Sequence, residues 1–197
     1  MQVAWIIFAV TIAASLAGLY AAPGLIDRCL FRPYWFLRKR QYDTIISSGF
    51  VHADIPHLLF NMVTYFFFAF PLARQIGSTR FALLYLSGLV FSEVGTYVKH
   101  RNNPAYASLG ASGAISAALF ASIVYFPTQK LIILPFPFPI PAPLFAVGYV
   151  AYSWYSANHA RGRINHDAHL GGALAGLVFV LLTDPSAYRG LFRTLLG

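Results

Sequence analysis

A chain of 197 residues that is 58% hydrophobic and only 10% charged lies far below the roughly 25% charged content of soluble domains, which excludes a soluble globular enzyme and indicates a polytopic membrane protein. The net charge of +8 does not indicate a nucleic-acid binder. The basic residues (Arg38-Lys39-Arg40, Arg74, Arg80, Lys99, Arg101, Arg161, Arg163) sit in loops between apolar runs, where lipid headgroups lie. Cys29 is the single cysteine, so neither an internal disulfide nor a cysteine metal cluster is available.

The first apolar run, residues 3–21, has no basic region before it and reads as a retained span rather than a signal peptide. Residues 22–56 form the longest loop. Its aromatics (Phe31, Tyr34, Trp35, Phe36) beside Arg38, Lys39 and Arg40 suit a segment lying in the membrane interface. Apolar runs follow at 57–72, 81–98, 111–127, 142–158 and 168–183. With about 20 residues needed per crossing, the expectation is an all-α, six-span bundle, one domain over residues 1–197 with no separate soluble domain. Between spans 4 and 5, prolines at 135, 137, 139, 141 and 143 exclude a helix and predict an extended connector. The loops after spans 1, 3 and 5 hold nine of the 14 Lys and Arg, which by the positive-inside rule puts the N-terminus outside.

Three polar clusters interrupt the apolar pattern: His52, His57 and Asn61 in HADIPHLLFNM, Ser112 in LGASGA, and His169 in INHDAHLGGALAG. Each opens an even-numbered span, so in a six-span chain all three converge on one face. Serine becomes a nucleophile when a base takes its proton, and histidine is the usual base, so Ser112 and His169 form a candidate pair. His57 and Asn61, four apart, share a helix face and could donate to a developing oxyanion. The Ser112 N–H at a helix start could be a further donor. Gly110 and Gly113 let substrate and backbone approach the hydroxyl. Gly172 and Gly176 form a G-x-x-x-G, matched by Gly113 and Ala117, so spans 4 and 6 are expected to touch backbone to backbone.

H-x-x-x-x-H-x-x-x-N, G-A-S-G-A and A-H-L-G-G, in that order on spans 2, 4 and 6, resemble the rhomboid intramembrane serine proteases. The resemblance extends to HLLFNM (57–62), GSTRFALLYLSG (77–88) and the proline-rich entry to span 5. It implies a Ser112–His169 dyad, an oxyanion hole of His57, Asn61 and the Ser112 N–H, and a supporting role for His52 in ordering the first loop. It further implies hydrolysis of peptide bonds in or near transmembrane segments of protein substrates within the lipid bilayer, most simply a prokaryotic inner membrane, with no metal or cofactor and no nucleic-acid partner. The oligomeric state is left open. The family topology places the N-terminus in the cytoplasm, against the loop charge count, and is preferred here. The chain departs from the family at Ser116, where many members carry an aromatic ring packed on the catalytic histidine. It departs again at Asp43-Thr44 in place of Trp-Arg, and at Ala73 in place of glutamate.

Other readings are weaker. His166 precedes the apolar run and reads as loop, and Asp167 points elsewhere on a helix than His169. Glu93, inside span 3, reads as a structural acid remote from the three clusters. A zinc protease is rejected because the His52–His57 spacing contains Pro56 and lacks the H-E-x-x-H glutamate. A small-solute transporter lacks an internal repeat. A client-binding relative without activity would normally lack the serine or the histidine, and both are present.

Overall fold

α1 (Gln2–Leu16) continues as one π-helical turn over Ala17–Ala21, together a 20-residue apolar rod. The first loop is built from short helices, α2 (Pro23–Cys29), α3 (Pro33–Arg38) and α4 (Thr44–Ser47), of which α2 and α3 open on a proline whose missing N–H costs nothing there. On α3 the Arg38 guanidinium and, just beyond it, the Lys39 ammonium lie 4.0 and 4.1 Å from the Tyr34 and Trp35 ring centroids. That is the aromatic–basic pairing of an interfacial segment. The computed structural model of the protein describes residues 1–133, 136–159 and 164–196. Pro135 of the proline run and Arg161 and Arg163 of the fifth loop lie outside the described residues.

α5 (Ile55–Ile76) and α6 (Ser78–His100) are joined by Gly77 alone, at φ 81°. α7 (Ser112–Tyr125) is apolar but has 14 residues, and every side chain from Gly113 to Val124 is buried. A helix buried all round belongs at a bundle centre, and α7 is surrounded by α5, α6 and, once it is reached in the chain, α9 (His166–Thr183). α8 (Ala142–His159) packs against α9 and presents Leu144, Val147 and Trp154 outward. A nine-residue helix, α10 (Tyr188–Leu196), ends the described chain.

Among the described residues four segments are long and apolar enough to cross a membrane: Gln2–Ala21, Ile55–Ile76, Ser78–His100 and His166–Thr183. α7 is a shorter apolar helix, and α8 is 18 residues long but interrupted by Ser153, Ser156 and Asn158. The protein is therefore a multi-pass membrane protein, mostly helical.

The expectation of an exclusively helical chain needs one correction. The proline-rich connector belongs to an antiparallel ribbon of β1 (Lys130–Ile133) and β2 (Phe136–Pro141), with Leu131 opposite Ile140. Prolines at 137, 139 and 141 are compatible with pairing because an edge strand directs alternate N–H groups away from its partner.

The helices around α7 meet through small residues. A Cβ added at Gly172 of α9 would collide with the Gly113 carbonyl of α7, and one at Gly176 with the Ala117 carbonyl. A Cβ at Gly88 of α6 would lie 2.8 Å from the Ala117 Cβ. Without a hydrophobic force between helices in lipid, such close backbone contact is a main source of association.

Candidate active site

α5, α7 and α9 all start at the same end of the bundle, and the polar clusters lie at those starts. Asp54 caps α5, its carboxylate accepting the His57 N–H at 2.8 Å. This fixes the first turn that carries His57 and, one turn on, Asn61. Asn165 caps α9 in the same way through the Ala168 N–H at 3.1 Å and is held by Thr96 of α6, whose hydroxyl accepts from Nδ2 at 2.9 Å. His169 sits in the first turn that this cap sets.

Ser112 is the first residue of α7 and half-buried. At that position its N–H has no carbonyl partner within the helix and is free to donate outward. Gly110, two residues before, has φ 114°, a conformation that disfavours any side chain. A Cβ there would also lie 2.7 Å from His57 Cε1 and 2.8 Å from its Nε2. Gly110 thus lets the strand of chain before Ser112 lie against the His57 ring. Its N–H donates to Ser48 O at 2.9 Å, and Phe31 and Ser108 exchange backbone hydrogen bonds, both 2.9 Å. The interfacial first loop is in this way fastened to the segment that presents Ser112.

The α7–α9 contact at Gly113 and Gly172 begins one residue after Ser112 and three after His169. A Cβ at Gly113 would be 3.5 Å from Ala168 O, the residue before His169. The two backbones are therefore adjacent beside Ser112 and His169. Among the described residues no hydrogen bond joins the Ser112 hydroxyl to the His169 ring.

His52 is fully buried. Its Nε2 accepts the Ala111 N–H at 3.3 Å, its Nδ1 meets the Ser15 hydroxyl of α1 at 2.9 Å, and its ring stands edge-on to His57 with centroids 4.8 Å apart. Burial, and after it the neighbouring His57, lower its pKa to about 3 against the opposing Asp54. Asn61 is buried, and its Nδ2 donates to His57 O at 2.9 Å. One of its two N–H bonds is engaged, and among the described residues the other has no acceptor.

Two expectations change. His166 is not loop: it opens α9, is 6% exposed, and stands edge-on to His169 at 5.8 Å. The physical reason is the Asn165 cap, which starts the helix two residues before the apolar run. Glu93 is not remote from the site's end of the bundle: its buried carboxyl receives the Ser108 hydroxyl at 3.4 Å, two residues before Gly110. Asp167 does point away from His169, as expected, toward Lys99 of α6 at 2.9 Å. The sequence reading missed Tyr149 of α8, whose ring lies 6.0 Å from that of His169 at an interplanar angle of 23°. Its hydroxyl bonds Ser116 at 2.8 Å. Nothing in the local sequence distinguishes Tyr149 from the other tyrosines of α8.

Comparison with known proteins identifies the family. Residues 39–185 match the rhomboid domain, and the chain belongs to the rhomboid family. It is 30% identical over 156 residues to the mitochondrial RHOMBOID-like protein 12 of Arabidopsis thaliana, covering 72% of this chain and 46% of that one. It is 30% identical over 158 residues to the mitochondrial Rhomboid protein 1 of Saccharomyces cerevisiae, covering 76% and 45%. YdcA of Bacillus subtilis is 41% identical over 71 residues, covering 36% and 35%. The chain spans less than half the length of these curated relatives.

Proposed function

We propose that this protein is an intramembrane serine endopeptidase that cleaves peptide bonds in or near transmembrane segments of other membrane proteins. The observation that carries the reading is the backbone contact of α7 and α9 at Gly113 and Gly172, one residue after Ser112 and three after His169. In this reading residues 1–197 act as one rhomboid-type unit of six spans, in which α7 and α8 also cross the bilayer. A 14-residue helix is about 21 Å long against a hydrocarbon core of about 30 Å. α7 then begins below the lipid surface, and the irregular backbone before it is tolerated because protein surrounds it. The membrane is taken to be a prokaryotic inner membrane.

His169 takes the Ser112 proton as Oγ attacks the scissile carbonyl carbon. The negative charge that develops on the carbonyl oxygen is met by the Ser112 N–H, the free N–H of Asn61 and the His57 ring beside Gly110. The tetrahedral intermediate collapses, the amine leaves with the proton from His169, and water then hydrolyses the acyl-serine with His169 again acting as base. Because a helix hides its carbonyls in hydrogen bonds, substrates must unwind at the cut. Helix-weak spans carrying Gly, Pro or polar residues are the expected class.

The test is cleavage of a transmembrane reporter in reconstituted vesicles. Ser112→Ala and His169→Ala should each abolish cleavage, against losses on the order of 10⁶-fold for such residues in soluble serine proteases. Near wild-type cleavage by Ser112→Ala overturns the reading.

A further inference from the structure

His169 has two ring neighbours that the proposed chemistry does not use. His166, one turn earlier on α9, stands edge-on to it. Tyr149, from α8, lies nearly parallel to it at 6.0 Å and 23°. Tyr149 is in turn fixed at its far end: its hydroxyl and the Ser116 Oγ are 2.8 Å apart. Ser116 is 4% exposed and lies four residues after Ser112, one turn further along the same face of α7. A Cβ at Gly172 would be 3.1 Å from the Ser116 Cβ, so Ser116 sits in the seam where α7 meets α9. One hydroxyl in that seam therefore orients a ring from a third helix against the imidazole.

We propose that Tyr149 is a positioning residue for the His169 imidazole, held in register by the Ser116 hydroxyl. The claim rests on the dyad reading and deepens it. An imidazole that must first accept and then return a proton needs a fixed ring plane. A ring on its flat face restricts rotation where a hydrogen bond to either nitrogen would interfere with the chemistry. Aromatic pairs of this kind favour offset, near-parallel contact with centroids about 4.5–7 Å apart. The arrangement has a consequence for α8. Tyr152, one turn after Tyr149, stands edge-on to His166 at 5.5 Å, so α8 meets the start of α9 through two ring pairs. The histidine is held only while α8 is seated, and any displacement of α8 releases it. The α7 position at which many family members carry an aromatic is Ser116 here: the space is filled from α8, and the serine secures the filling ring.

The test uses the full chain in vesicles with two readouts: kcat and KM for a transmembrane reporter, and the labelling rate of Ser112 by a small fluorophosphonate. Tyr149→Leu should lower kcat and labelling together by about 10- to 100-fold, as for a misplaced catalytic group, with KM within about twofold. Tyr149→Phe and Ser116→Ala remove opposite ends of one hydrogen bond. Each should cost about two- to tenfold, and the double variant should be no worse than the poorer single one, the mark of a shared interaction. Moving the ring, by Ser116→Tyr with Tyr149→Ala, should restore part of the activity that Tyr149→Ala loses. Unchanged kcat in Tyr149→Leu, or multiplicative losses in the double variant, overturns the proposal. Should Tyr149→Leu fail to fold, the Phe and Ala variants decide alone. Failure of the dyad reading is distinct, because it appears as labelling or cleavage that survives Ser112→Ala.

Discussion

The His52 imidazole accepts the Ala111 N–H through Nε2 at 3.3 Å, one residue before the proposed nucleophile. The tautomer follows. Nε2 must be unprotonated to accept, so Nδ1 carries the hydrogen and donates to the Ser15 oxygen at 2.9 Å, while the Ser15 hydroxyl donates to Phe50 O at 3.2 Å. One ring thus links α1, the first loop and the start of α7, and it does so only when neutral.

This link sets a pH dependence. Burial holds the His52 pKa at about 3, below its ordinary 6.5. Between those values the unfolded chain binds a proton that the folded chain refuses, so stability falls as pH falls. The contribution is complete above about pH 6.5 and is lost progressively toward pH 3. Thermal unfolding of the detergent-solubilised protein from pH 7.5 to 4 should show this decline. In His52→Asn the decline should be shallower by up to about 1.4 kcal/mol per pH unit, one proton's worth.

The α7–α9 seam predicts a contrast between glycines. Gly172→Ala and Gly176→Ala force a methyl against the Gly113 and Ala117 carbonyls and should each cost about 1–3 kcal/mol by overpacking. Gly148→Ala on α8 meets nothing within 4 Å and should leave the unfolding midpoint unchanged or slightly raised. Denaturant or thermal titrations of the three variants check this.

Asn61 offers a graded test of the oxyanion reading. Asn61→Ala removes the free donor and should lower kcat by about 10²-fold without altering KM by a comparable factor. An unchanged rate removes Asn61 from the oxyanion hole.

Asp54 acts through the helix it caps. Asp54→Ala leaves the His57 N–H without the acceptor it has at 2.8 Å and should cost about 0.5–2 kcal/mol. Asp54→Ser, which retains a capping oxygen, should recover most of that loss in the same unfolding assay.

How much of this was legible in the sequence depended on whether a feature is local. The spacing of His52, His57 and Asn61, the glycine frame of Ser112 and the G-x-x-x-G below His169 are each written within one short stretch of chain, and the positions read from them lie at or just before the starts of α5, α7 and α9. Tyr149 was not legible. Which of the tyrosines 149, 152 and 155 meets His169 depends on the rotation of α8 about its own axis, and no local pattern fixes that. His166 was misjudged because helix start was read from hydropathy. The capping residue Asn165 was the better signal, since its side chain holds the Ala168 N–H. The prolines marked an extended connector, but its pairing with Lys130–Ile133 as a ribbon was not read, because alternate prolines along an edge leave the pairing open without announcing a partner.

The central claim is that Ser112 is a nucleophile activated by His169 from the neighbouring helix. The most direct measurement is labelling of the reconstituted protein with a fluorophosphonate, followed by mass-spectrometric mapping of the adduct. The account predicts a single adduct on Ser112, absent in Ser112→Ala and reduced by orders of magnitude in His169→Ala. An adduct on another residue, or undiminished Ser112 labelling in His169→Ala, would contradict it.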